Sequence, residues 1–149
     1  MQRTTDVLII GTEPPCPRCD ILGILVKEGA PPSVVINLKH CAFDSLEAGA
    51  LAQKIGCKIG TAKHVARDAG VPMDWDVVHK LIEEKKSGLS RNYRPADAWS
   101  PELDRALEPC QRVAESAGYL MTPVLIVNEK VVHHGSVPSK TQITKWLSE

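Results

Sequence analysis

Two cysteines separated by two residues are the groups in this sequence with the clearest chemical potential. Cys16, Pro17, Arg18 and Cys19 follow an apolar run and precede a stretch with helical periodicity. If a helix begins at Cys16, its unpaired backbone N–H groups and its macrodipole favour a thiolate there, and Pro17 suits the first helical turn. Cys19 then lies one turn further on the same face, close enough to form a disulfide after a small adjustment. The pair is therefore predicted to be a reversible dithiol.

Arg18, between the two cysteines, has two possible roles. It is either a solvated charge or a cation that stabilises the thiolate, since an adjacent positive charge lowers the pKa of a thiol. A free cysteine has a pKa of about 8.5 and is only slightly ionised at neutral pH. We favour a modest electrostatic effect of Arg18 on its neighbours.

Composition limits the classes of function. The 149 residues suit a single domain, residues 1–149, that can bury a core without disulfide staples. The formal net charge is zero, so charge does not favour nucleic acid or an anionic membrane as a partner. Met1 is expected to open the native chain, and we find no candidate signal peptide or membrane span. Five cysteines, an odd number, argue against a disulfide framework, and a cytoplasmic protein is expected.

Both ends of the chain contain predicted strands. The first third is predicted to be a strand over 6–11, a helix, and a second strand over 33–38. Such a unit implies a parallel pair with a right-handed crossover. The last third is predicted to be a strand over 123–127, a tight turn, a strand over 130–134, and a closing helix capped by Ser139.

The middle of the chain, about 42–118, is predicted to be all-helical. Ser45, Thr61 and Ser100 are candidate N-caps, each followed by apolar residues at helical spacing. A further helix is predicted over 76–86. The sequence therefore predicts a helical insertion between the two strand-containing parts.

Three features together resemble the thioredoxin/glutaredoxin superfamily. The first is the C-P-x-C motif after the first strand. The second is Met121-Thr122-Pro123-Val124-Leu125, which looks like the cis-proline segment of that family. The third is the hairpin with its final helix. The resemblance covers residues 5–38 and 119–148. It implies an α/β, thioredoxin-like fold, with βαβ and ββα units around a four-stranded mixed sheet.

The sequence also departs from the family pattern. Pro15 precedes the first cysteine, and Ile10 occupies the position at which thioredoxins carry a buried Asp. The long helical insertion before the cis-proline segment is similar to that of DsbA-like proteins, which also use C-P-x-C.

The resemblance implies a thiol–disulfide oxidoreductase that acts on protein substrates. Cys16 would attack the substrate disulfide and Cys19 would resolve the mixed disulfide. Thr122 and Pro123 would bind an extended substrate, with Thr122 offering backbone hydrogen bonds. The expected partners are protein disulfides and an electron-donor reductase or thiol. No cofactor, metal, nucleic acid or membrane is expected to take part.

Two alternatives remain open at this stage. The first is a metal-binding module, since a C-x-x-C pair can be half of a zinc site. Structural zinc needs four ligands, and the other candidates are scattered: His40, Cys41, Cys57, Cys110, His133 and His134. The second is a redox-sensing DNA-binding protein, because residues 46–69 resemble a helix-turn-helix with Gly56 in the turn. The zero net charge argues against a DNA reader.

Overall fold

A four-stranded mixed sheet forms the centre of the computed structural model, which describes residues 2–89 and 93–149. The strands are β1 (Arg3–Gly11), β2 (Val34–Ala42), β3 (Lys58–Gly60), β4 (Tyr119–Met121), β5 (Val124–Val127) and β6 (Lys130–His134). The helices are α1 (Pro17–Gly29), α2 (Leu46–Ile55), α3 (Ala62–Ala69), α4 (Trp75–Lys86), α5 (Pro101–Ala114) and α6 (Lys140–Ser148), with a short 3₁₀ helix at Pro95–Ala98.

The order of the central strands is β2-β1-β5-β6. Strands β1 and β2 are parallel and joined by α1, whereas β5 runs antiparallel to both β1 and β6. The predicted βαβ and ββα units are therefore both present. The first element that follows β1 is the helix that begins beside Cys16, so the two cysteines lie beyond the carboxyl end of this central strand.

The β5–β6 hairpin closes through a two-residue turn, as predicted. Asn128 and Glu129 both have positive φ, 47° and 69°, which matches the twist of the flanking strands. The Asn128 side chain also accepts a hydrogen bond of 3.0 Å from the backbone N–H of Asp6. Asparagine tolerates this backbone conformation, so Asn128 suits the first position of the turn without a glycine.

Apolar side chains cover both faces of the sheet. Helices α1 and α6 bury Leu22, Val26, Ile143 and Leu147 on one face, against Val7, Ile9, Leu125 and Val127 of the strands. Helix α2 buries Ala48 on the other face, against Ile10, Leu120, Val124 and Ile126. This two-sided burial explains the continuous apolar runs of β1 and β5.

The insertion has an apolar core of its own, shared by α3, α4, α5 and β4. Its largest members are Val65, Val78, Leu103, Leu107, Tyr119 and Met121. These helices are too short to be stable alone, so they depend on burying their apolar stripes against one another. The predicted caps Ser45, Ser100 and Ser139 each accept a backbone N–H three residues on. Thr61 is the N-cap residue of α3, where its own backbone N–H donates to the His64 Nδ1 at 3.0 Å.

The interpretation of residues 46–69 as a helix-turn-helix is wrong. Strand β3 separates α2 from α3 and pairs in parallel with β4, with Lys58 opposite Tyr119 and Gly60 opposite Met121. The insertion is thus helical except for this strand. A strand of three residues is too short for hydrophobic periodicity to reveal it.

The stretch between α4 and α5 is only partly described. Residues 90–92 lie outside the described residues, as does Met1. The last part of this stretch forms the 3₁₀ helix, whose Ala96 N–H donates to the Asp20 carboxylate of α1 at 2.8 Å.

Candidate active site

Cys16 is the N-cap of α1, at the position that the sequence predicts. Its backbone is extended (φ −73°, ψ 168°), and Pro17 occupies the first helical turn. The Cys16 sulfur accepts the backbone N–H of Cys19 at 3.4 Å, so it lies over the unpaired donors of the helix start. Thr12 fixes the loop that leads into the helix, because its hydroxyl oxygen accepts the Cys16 N–H at 2.9 Å.

The two thiols touch and differ in character. Their Sγ atoms are 3.1 Å apart, and Cys16 is half-buried whereas Cys19 is buried. The hydrogen bond from the Cys19 thiol is the main reason that the pKa of Cys16 falls to about 6, against the opposing effect of burial. The same bond, together with burial and the negative charge on Cys16, raises the pKa of Cys19. At neutral pH Cys16 is therefore the thiolate and Cys19 the proton-bearing partner.

Gly11 makes room for the buried thiol. A Cβ atom at this position would lie 2.3 Å from the Cys19 Sγ and 3.1 Å from its Cβ. Only glycine at the end of β1 allows α1 to bring Cys19 this close to the strand.

Arg18 is buried, so the interpretation of this residue as a solvated charge is wrong. Its Nε donates to the Asp104 carboxylate of α5 at 2.7 Å, and both side chains are largely hidden from solvent. Two more of its N–H groups donate to backbone carbonyls, one to Thr122 at 3.3 Å and the other to Gly135. Arg18 thereby ties α1 to α5 and to the loops that flank β5 and β6.

The effect of Arg18 on the nucleophile is secondary. Its charge lowers the pKa of Cys16, but the S–H and N–H groups of Cys19 come before it among the favourable causes. The closest charged partner of Arg18 is Asp104, with which it forms the buried ion pair.

Thr122 and Pro123 are joined by a cis peptide bond. Thr122 is buried, and it lines the same cleft as Cys16. Its backbone is already occupied, because its N–H donates to Gly60 at 2.9 Å and its carbonyl accepts from Arg18. The expected backbone hydrogen bond from the Thr122 N–H to an extended substrate would therefore require the end of β3 to move.

An apolar cleft of about 250 Å³ opens next to Cys16. Thr12, Cys16, Pro17 and Thr122 form one side, and the insertion supplies the other through α3, α4 and α5. The apolar side chains of the insertion that border it include Trp75, Val78, Ile82, Leu103 and Leu107. Lys63 stands at this wall with its ammonium 5.7 Å from the centre of the Trp75 ring.

The other three cysteines do not join the pair. Cys110 is fully buried in the core of the insertion, while Cys41 and Cys57 are half-buried beside α2. Burial raises the pKa of all three thiols. Within residues 2–89 and 93–149, no group of three His, Cys, Asp or Glu side chains is arranged to hold a metal ion.

The comparison with protein families covers the last third of the chain. Residues 98–148 match the family model described as a thioredoxin domain. This segment contains β4, the cis-proline segment, the β5–β6 hairpin and α6, in the order found here. The fold is thioredoxin-like. The matched segment does not include Cys16 or Cys19, so their place in this thioredoxin-like fold rests on the geometry above.

One solved structure is similar over nearly the whole length. It is a thioredoxin-like oxidoreductase from Silicibacter pomeroyi DSS-3, with 16% identity and a TM-score of 0.36 over 97% of this chain and 84% of that one. No curated protein matches the sequence. In the described part of the thioredoxin-like chain, no helix is both long and apolar enough to span a membrane.

Sequence reasoning missed several residues that shape this site. Thr12, Gly11 and Asp104 contact the cysteine pair or Arg18, yet only Gly11 and Thr12 could have been noted, since they end β1 just before the motif. Asp104 lies 86 positions from Arg18, and no spacing links them.

Proposed function

We propose that this protein is a thiol–disulfide oxidoreductase that exchanges disulfides with protein substrates through Cys16 and Cys19. The observation that carries the proposal is the contact between the two thiols at the start of α1, with their pKa values shifted in opposite directions. One residue is thereby prepared to attack, and the other holds a proton until the second step.

Exchange would proceed in two displacements. The Cys16 thiolate attacks one sulfur of the substrate disulfide, the substrate S–S bond breaks, and the departing thiolate takes a proton from water. Cys19 then attacks the Cys16 sulfur, which forms the Cys16–Cys19 disulfide and releases the second substrate thiol. Two electrons pass to the substrate, and an electron-donor reductase or thiol restores the dithiol.

The direction of exchange depends on the reduction potential of the pair. A value near −270 mV would make it a reductase and one near −120 mV an oxidant. The low pKa of Cys16 stabilises the reduced form and so moves the potential toward the oxidising end. The five cysteines, all free in the structure, fit a reducing compartment, and we propose the cytoplasm.

The cleft beside Cys16 is the feature that supports the proposal of protein substrates. The walls that the insertion contributes are mainly apolar, so the group best accommodated next to the reacting sulfur is an apolar side chain near the substrate disulfide. A small charged disulfide would gain little from such a surface. The insertion would thus select substrates by the residues that flank their cysteines.

Replacing Ile82 with Asp should slow the reduction of a protein disulfide such as that of insulin by about tenfold. The reason is that a charge in the cleft removes roughly 1.4 kcal/mol or more of apolar contact with the substrate. Reaction with the small disulfide dithionitrobenzoate should change little, and the rates of both reactions can be followed in parallel.

Val77 offers a matched control on the same helix. It is exposed and does not line the cleft, so Val77→Asp should leave both rates near those of the unmodified protein. Equal slowing of both substrates by Ile82→Asp, or the same substrate selectivity in Val77→Asp, would contradict a substrate-binding role for the cleft.

A further inference from the structure

His40 on β2 has one ring nitrogen that forms a hydrogen bond and one that has no partner among the described residues. Its Nδ1 forms a hydrogen bond of 3.0 Å with the Glu13 carboxylate, which lies in the loop before α1. Its Nε2 is buried and has no hydrogen-bond partner among the described residues. A buried ring nitrogen without a partner is costly, so its presence calls for an explanation.

The unpartnered nitrogen borders the space behind Cys19. A Cβ atom built on Gly11 would lie 3.4 Å from the His40 Nε2 and 2.3 Å from the Cys19 Sγ. Because Gly11 has no side chain, nothing from this residue separates the imidazole from the thiol. The His40 Nε2 and the Cys19 Sγ therefore border the same space over Gly11, at the end of β1.

Cys19 needs a proton acceptor if it is to attack. Its raised pKa keeps it as a neutral thiol, which is a poor nucleophile. The neighbours that contact its sulfur are the Cys16 thiol and the Thr12 backbone N–H, and Ile10 supplies no carboxylate from β1. Once Cys16 is bound in a mixed disulfide, neither of these two contacts can take up the Cys19 proton.

We propose that His40, oriented by Glu13, accepts the proton of Cys19 in the step that resolves the mixed disulfide. The inference rests on the proposed exchange function and assigns a residue to its second displacement. The Glu13 carboxylate accepts the Nδ1–H of His40, which fixes the tautomer and leaves the buried Nε2 lone pair free to accept a proton.

The step balances in protons and electrons. The Cys19 S–H bond breaks and its proton moves to the His40 Nε2, giving an imidazolium beside the Glu13 carboxylate. The Cys19 thiolate attacks the Cys16 sulfur, the Cys16–Cys19 bond forms, and the bond from Cys16 to the substrate sulfur breaks. The released substrate thiolate takes a proton from water, and the imidazolium returns its proton to solvent.

A single-turnover reaction with dithionitrobenzoate separates the two displacements. The first attack by Cys16 on this disulfide releases one coloured aromatic thiolate, and resolution by Cys19 releases the second. His40→Gln should leave the first phase unchanged and slow the second by about 100-fold near neutral pH. Glu13→Gln should slow the second phase by about tenfold, because a neutral amide stabilises the imidazolium less.

Glu115→Gln is the matched control. Glu115 also bonds a histidine, His134, at 3.0 Å, but this pair lines a surface pocket that contains no cysteine, and Glu115 is highly exposed. The control should leave both phases unchanged. An effect of Glu115→Gln equal to that of Glu13→Gln would show a general effect of removing charge and would overturn the assignment.

The pH profile distinguishes proton transfer from a structural role. Glu13 and Cys19 face the His40 ring, and Lys39 and Cys41 are its neighbours in β2. As pH rises toward the range where hydroxide ionises Cys19 directly, the second-phase rates of His40→Gln and of the unmodified protein should converge. A second phase unchanged in His40→Gln, or slowed by the same factor at every pH, would overturn the inference. Absence of the first phase in the unmodified protein would instead overturn the proposed function.

Discussion

Replacing Cys16 with Ser is expected to abolish disulfide exchange, whereas replacing Cys19 with Ser is expected to stop it half-way. Cys16 is the only thiol with a lowered pKa among the described cysteines, so no other side chain there can supply the first thiolate near neutral pH. Cys19→Ser keeps a hydroxyl that can donate to the Cys16 sulfur, so the first attack should survive. Without the second thiol, the mixed disulfide should accumulate and be visible as an intact-mass increase.

Cys57→Ser is the control for loss of a thiol elsewhere. Cys57 is half-buried beside α2, and its pKa is raised by burial, so turnover should remain that of the unmodified protein. Equal loss in Cys16→Ser and Cys19→Ser at the first attack, or a mixed disulfide on Cys19, would contradict the assigned order.

Replacing Arg18 with Ala is expected to cost about 3–5 kcal/mol of the free energy of unfolding. The change leaves the Asp104 carboxylate, only 14% exposed, without its cation, and removes the donors to Thr122 and Gly135. Such a loss is a large part of the 5–15 kcal/mol typical of a domain. Urea denaturation of the reduced protein measures it directly.

Two further variants separate the ion pair from general effects of charge. Asp104→Asn in the Arg18→Ala background should recover part of the loss, because the unpaired buried charge is gone. Arg112→Ala breaks an exposed pair with Glu108 and should change the free energy of unfolding far less than Arg18→Ala does. A cost for Arg18→Ala as small as that of Arg112→Ala would show that Arg18 does not stabilise the fold.

Local patterns in the sequence were enough to predict most of the fold. The strands of the central sheet, the caps at Ser45, Ser100 and Ser139, and the start of α1 at Cys16 all follow from short-range periodicity and capping chemistry. These features depend on neighbours within a few residues. The sequence carries that information explicitly.

The features that sequence reasoning missed depend on contacts between distant residues. Strand β3 exists because β4 lies beside it, some sixty residues later in the chain, and its three residues carry no pattern of their own. The burial of Arg18 likewise depends on Asp104 of α5. The approach of His40 to Cys19 depends on the pairing of β2 with β1 and on the missing side chain of Gly11.

The most direct test of the account is the pH dependence of iodoacetamide labelling in the reduced protein, with each cysteine identified by peptide mass mapping. Cys16 should be labelled first, with a midpoint near pH 6, since its thiolate is lost as pH falls through its pKa. In Cys19→Ala, which lacks the donating thiol, the midpoint should move up by about one pH unit or more, and Cys19→Ser should move it less. Labelling of another cysteine before Cys16, or a Cys16 midpoint at the ordinary thiol value of about 8.5, would contradict the assignment of Cys16 as the nucleophile.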